Sequence, residues 1–430
     1  AEKDGLARQE MLTEVLKRII QQDIPKSMIG PGELAWNPFK NKVFKEGRET
    51  RWTPEPNSRY LHWLNVFKAM RDMDEFYPSL PSHPRRSFEM DRELEEPAVA
   101  RLLEDVLTAP EIGETAAVIA ARLKRGLRPF AIWYNGFKPR GRIAAAELDA
   151  RARQLYPSRA RFQQGLGPIL QRLGFAPGDA RFIAGRVEVD PARGAGHAWG
   201  ALLRGDKSRL RTRMGPDGMN FQGFNVAMHE LGHCAEQVLS LERADFYLLA
   251  GVPNTAITEA FAFLFQDRDL EILGYPPPGP QARRLKALDT LWMTYEIAGS
   301  ALVDMRAWEW LYKNPDASPD ALRRAVMACA RDVWNRYYAP VFGVRDQIIL
   351  AAYSHMVDAA LYLPDYPLGH LIAFQLERYL QGKNLGREME RMCRAGRLTP
   401  QQWMKNAVGQ EISAAPLLAA AREALAAIRK

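Results

Sequence analysis

The chain has 430 residues, 47% of them hydrophobic and 10% aromatic, which gives it enough apolar material for a large core and excludes a disordered or low-complexity polypeptide. Its net charge of +8 comes from 59 basic and 51 acidic residues interleaved along the sequence, without a basic tail or a block of like charge. That excess reads as solvated helix surface with mild steering of acidic ligands, so no nucleic-acid partner is expected.

Taken in chain order, the pattern is helical from the start. Met11, Leu12, Val15, Leu16, Ile19 and Ile20 repeat at helical spacing, and Tyr60, Leu64, Phe67 and Met70 form a second stripe. Prolines break these helices at 54–56, 78–84 and 276–280. From Arg181 to Arg213 the pattern changes to short alternating segments, Val187–Val189 and Ser208–Arg213, with a turn at Gly205-Asp206; a small antiparallel sheet is expected there. A strongly helical segment then begins near Gly223. Ser318-Pro319 and Thr399-Pro400 read as an N-cap followed by proline, and Gln402 completes a capping box with Thr399. The fold expected is mostly α, a helical N-terminal lobe over 1–180 and a catalytic lobe over 181–430, with one small sheet beside the key helix.

No apolar run approaches the roughly 20 residues that span a bilayer, so no membrane partner is expected. The three cysteines, Cys234, Cys329 and Cys393, build neither a disulfide framework nor a metal motif. The chain begins at Ala1, as a trimmed mature form would. A cytoplasmic and a periplasmic or exported location both stay open, and nothing sets an oligomeric state.

The informative segment is Val226–Glu236, which contains His229-Glu230-x-x-His233. Four helical residues are one turn plus about 40°, so both imidazoles leave the same face and can share one metal ion. Glu230 sits about 100° round from His229, aside from the ligands but placed to hold a water. Imidazole suits zinc, and a catalytic zinc takes three protein ligands and keeps one open position. The third ligand expected is Glu259, in a helix that Asn254 or Thr255 can cap. Glu236, one turn after His233, is the competing third ligand, though there it would crowd the imidazoles. With zinc making water a stronger acid, Glu230 is the expected general base. The tetrahedral oxyanion needs a further donor, which directs attention to Tyr353–His355 and to Tyr362–His370.

On these residues the sequence resembles the helical gluzincin zinc peptidases: the angiotensin-converting enzyme, thimet oligopeptidase and oligoendopeptidase F families. Three blocks carry the resemblance: His229–His233 with Glu259, Gly196–Trp199 followed by Arg209–Arg213, and Tyr366–Gln375. It implies a single Zn²⁺, a peptide substrate whose backbone pairs with an edge strand, Tyr366 as oxyanion donor with Tyr362 second, and His355 as a substrate-binding residue. His197 falls near a strand histidine of the converting-enzyme family after a two-residue shift, and Arg211 joins it as a substrate contact; Arg204, Arg209 and Arg213 are further candidates for an acidic peptide or a C-terminal carboxylate. In one respect the chain departs from that family: Phe263 stands where an Asp, one turn after the ligand Glu, orients a zinc-bound imidazole. Two readings follow. One is a zinc-dependent peptidase acting on peptides or unfolded segments; the other is a metal-bound, weakly active peptide-binding protein of the same fold.

Overall fold

The computed structural model describes residues 5–29, 32–138, 143–192 and 196–429, and over them the chain is mostly α-helical with two three-stranded sheets. Contacts divide it into two compact units. Unit 1 comprises Ala1–Met90, Glu95–Asn135 and Leu291–Pro367; unit 2 comprises Asp91–Leu94, Gly136–Thr290 and Leu368–Lys430. Each unit is assembled from separated stretches of the chain. Among the described residues no helix is long and apolar enough to cross a membrane.

Unit 1 is organised around aromatic rings. The helix Ser58–Asp72 buries Tyr60, Trp63, Leu64 and Phe67, and Phe67 meets Trp308 and Tyr312 edge-on at 5.9 and 5.3 Å. A further group joins Trp292, Tyr295, Trp334 and Tyr338, with Tyr295 and Tyr338 centred 4.5 Å apart. Burying each such ring stabilises the fold by about 2 kcal/mol, provided its polar end finds a partner. The Tyr295 hydroxyl does so by donating to the Tyr337 carbonyl at 2.9 Å, and the Tyr338 hydroxyl accepts from the Gly299 amide at 3.0 Å. Ser318 caps its helix as expected, accepting from the Ala321 amide at 3.3 Å. The N-terminal helix Gly5–Gln21 buries only Ile20 of its stripe, leaving Met11 and Leu12 42% and 49% exposed. Unit 1 also holds a sheet that the sequence pattern did not announce, strands β1 (Ala35–Asn37), β2 (Lys42–Lys45) and β3 (Arg48–Thr50), all antiparallel.

In unit 2 the sheet near residue 200 exists, but its pairing corrects the sequence expectation. Strands β4 (Val187–Ala192), β5 (His197–Trp199) and β6 (Ser208–Arg213) lie in the order β4-β6-β5. β6 inserts between the other two, so it runs parallel to β4 and antiparallel only to β5. The alternation is as expected, with Ser208, Leu210 and Thr212 buried. Thr212 Oγ1 donates to the Gly223 carbonyl at 2.7 Å and ties the sheet to the helix that follows. The cap expected at Thr399 makes no side-chain bond.

Candidate metal centre

The motif helix spans Phe221–Glu242, starting where Asn220 Oδ1 accepts from the Gly223 amide at 2.9 Å. Phe224, Ala227, Met228, Leu231, Ala235, Val238 and Leu239 bury its apolar faces, whereas Val226 is only half-buried. The second helix, Thr255–Gln266, is capped by Asn254, whose Oδ1 accepts from the Ile257 amide at 3.2 Å. Glu259 therefore lies in its second turn. The two helices meet at Gly232, where a Cβ would stand 2.6 Å from Ala262 Cα and 2.8 Å from the Phe261 carbonyl. Only a residue without a side chain permits that crossing, and it sets Glu259 against the two histidines.

There the three expected ligands converge. His229 Nε2 and His233 Nε2 are 3.2 Å apart, and Glu259 oxygens lie 3.4 Å from the former and 3.8 Å from the latter. All three donors lie within 4.8 Å of one another. Four-coordinate zinc with bonds near 2.0–2.1 Å places neighbouring donors about 3.3 Å apart, so spacing and donor chemistry both fit that ion. Glu236 is not part of this group. It is buried, accepts from the Ser240 hydroxyl at 2.8 Å and from the Thr258 hydroxyl, and so braces the residue before Glu259 against the motif helix.

The electrostatics follow from burial and from the carboxylates. Burial pulls the His233 imidazole down to about 4, with Glu259 opposing and His229 adding to the fall. Burial also pulls on His229, but Glu259, Glu230 and Gln266 outweigh it and leave that imidazole raised. Burial pushes the Glu230 carboxyl up to about 7, against the pull of His229 and with the push of Glu259. The backbone of Ala198 hydrogen-bonds this carboxyl, so β5 runs alongside it. β5 is an edge strand of its sheet, and its His197 is exposed and opposite Arg211. Arg211 lies over the Trp199 ring at 5.1 Å. Two of the other arginines have structural partners: Arg209 clasps Asp190 at 2.8 and 2.9 Å, and Arg204 donates to the Leu241 and Ala244 carbonyls at the end of the motif helix.

Tyr362, Tyr366 and His355 lie in unit 1, where they form one aromatic cluster. The His355 ring stacks on Tyr366 at 6.1 Å, and the two tyrosine rings are 5.3 Å apart. His370, in unit 2, packs on Phe263 at 4.8 Å, and burial together with Lys286 pulls it down to about 4. Phe263 in turn faces His229 at 5.3 Å. Sequence reasoning missed the polar residues around the ligands, Asn225, Gln266 and Asp269; the available signal was that Asn225 precedes His229, and Gln266 follows Glu259, at helical spacing.

No protein-family model and no curated protein matches the sequence. Solved structures do match the fold. A protein from Chlamydophila abortus assigned as a peptidase has a TM-score of 0.58 at 11% identity, over 98% of this chain and 72% of that one. PZ peptidase A, solved with an inhibitor, has 0.53 at 13% identity, over 99% and 76%. Metallocarboxypeptidase 1 of Trypanosoma cruzi has 0.52 at 13% identity, over 86% and 78%. The chain therefore has the helical fold that these three structures share.

Proposed function

We propose that the chain is a zinc-dependent peptidase of the gluzincin type. The observation that carries this reading is the convergence of His229, His233 and Glu259 at the spacing of a three-ligand zinc site, with Glu230 beside them. Zinc, when bound, polarises a carbonyl and makes water a stronger acid. Glu230 takes a proton from the attacking water at a carboxylate oxygen and passes it to the leaving amine. The edge strand β5 pairs with an extended peptide backbone, and His197 and Arg211 are the side-chain contacts on that sheet. Tyr366 is the oxyanion donor to test first, Tyr362 second, with His355 as a substrate contact. The fold shared with a metallocarboxypeptidase and with PZ peptidase A supports the same class of substrate.

Mass-spectrometric mapping of cuts in a mixed peptide library tests the reading, using the wild type with and without chelator and the Glu230→Gln variant. Cuts that vanish with chelator and in a zinc-retaining Glu230→Gln variant are expected. Equal cutting by that variant would overturn the proposal. A protein that keeps zinc and binds peptides, but cuts none, would favour the binding-protein reading instead.

A further inference from the structure

Residues 351–362 of unit 1 run between two anchors that belong to the same unit, and His355 lies between them. At the first, Arg59 donates to the carbonyls of Ala351 and Tyr353 at 2.8 and 3.0 Å. At the second, His83 Nε2 lies 2.9 Å from the carbonyl oxygen of Ala360. A carbonyl only accepts, so the imidazole supplies the proton of that bond. Directly there the backbone leaves its ordinary range. Ala360 and Leu361 have φ of 37° and 66°, a left-handed pair in which neither residue is glycine. Tyr362 follows at once, and its ring meets His355 at 5.9 Å and Tyr366 at 5.3 Å.

Such a pair costs backbone energy and persists only where its surroundings over-determine it. Leu361 is fully buried, which fixes one side of the turn. His83 fixes the other, and it is itself held firmly. Its ring packs on the buried Trp308 ring at 4.7 Å, and its backbone amide donates to the Tyr312 hydroxyl at 2.7 Å. That hydroxyl donates to the Asp74 carboxylate at 3.1 Å, and Asp74 is paired with Arg86 at 2.7 Å. The imidazole is therefore a fixed post against which the turn is set.

We propose that His83 is a positioning residue for the tyrosines: by holding the Ala360 carbonyl it keeps the left-handed turn, and so fixes where Tyr362 and Tyr366 stand against His355. The inference rests on the reading of Tyr366 or Tyr362 as the oxyanion donor. Such a donor must be aimed before charge develops, since a ring gathered from several positions adds that cost to the barrier. Without the bond, Ala360 and Leu361 relax toward negative φ, and Tyr362, next in the chain, moves with them.

Fluorine NMR and a double-mutant cycle test this. With 3-fluorotyrosine placed at 362 or at 366, wild type and His83→Gln are expected to give one signal at each position, because glutamine presents an N–H where His83 has Nε2–H. His83→Ala is expected to shift or split both signals while zinc content stays that of wild type. In peptide hydrolysis His83→Ala is expected to lower kcat by up to about 10²-fold, the loss a misplacement of about 1 Å brings, and His83→Gln to recover most of it. In a protein already carrying Tyr366→Phe or Tyr362→Phe, whichever removes the donor, His83→Ala is expected to cost little more; a residue that only stabilises the fold would give additive losses. His83→Phe keeps a ring against Trp308 without the N–H and is expected to move the same readouts, so it serves should His83→Ala fail to fold. Unchanged fluorine signals in a folded His83 variant lacking the N–H, or additive losses against both tyrosines, would overturn the proposal. Full kcat in both tyrosine variants, with fluorine signals that still move in His83→Ala, would sink the donor reading and keep the His83 post.

Discussion

Unit 1 and unit 2 each bury a glutamate whose carboxyl burial pushes up to about 7, Glu296 in the first and Glu230 in the second. The side chains around them differ. Glu296 Oε1 accepts from Trp133 Nε1 at 3.0 Å and from the Tyr353 hydroxyl, two donors fixed in an aromatic core. Glu230 is acted on by the His229 imidazole and the Glu259 carboxylate, and the Ala198 backbone is its bonding neighbour among the described residues. A perturbed proton affinity therefore marks burial in both places. What separates a structural carboxyl from a reactive one is whether its oxygens are already committed to donors.

The sharpest way to break this comparison lies in unit 2. Glu259→Ala is expected to abolish stoichiometric zinc and with it turnover, measured by metal analysis and peptide hydrolysis. Glu230→Gln is expected to cut kcat by about 10²–10⁴ while zinc stays bound, because it removes only the proton acceptor. Glu296→Gln is expected to leave zinc content unchanged and to act on stability alone. The Glu296 carboxyl is raised from 4.5 to about 7, so the stability it contributes is fully present below pH 4.5 and is lost as pH rises through 7. Denaturant unfolding should show wild type losing about 3 kcal/mol relative to Glu296→Gln across that window. Equal pH dependence of the two proteins would mean that Glu296 is not the buried proton holder described here. The smallest effects come from paired glycines. Gly232→Ala forces the crossing of the ligand helices apart, with a cost of about 1–3 kcal/mol and weaker zinc binding. In unit 1, Gly299→Ala meets the Tyr338 hydroxyl and is expected to lower stability with zinc affinity unchanged.

The parts legible in the sequence are those set by short-range geometry. His229 and His233 share a helix face whatever the rest of the chain does, and Asn254 caps the helix of Glu259 as its position announced. The parallel pairing of β4 with β6 was not legible, because it depends on β6 entering between two earlier strands. Strands β1–β3 escaped notice because each spans only three or four residues and few of their side chains are buried. The carbonyl partners of Arg204 and the carboxylate partner of Arg209 were not legible either, because they lie on other segments of the chain. The hydrogen bonds from Gln266 to Asn225 and from Asn225 to Asp269 need two helices to cross at Gly232, and no local pattern reports a crossing.

Zinc K-edge X-ray absorption on the protein loaded with one equivalent of zinc tests the convergence of the three ligands most directly. Two imidazoles and one carboxylate at about 2.0–2.1 Å are expected, with the carboxylate oxygen missing from any metal that Glu259→Ala retains. A zinc shell without imidazole, or a wild type that holds no zinc at equimolar metal, would contradict the account.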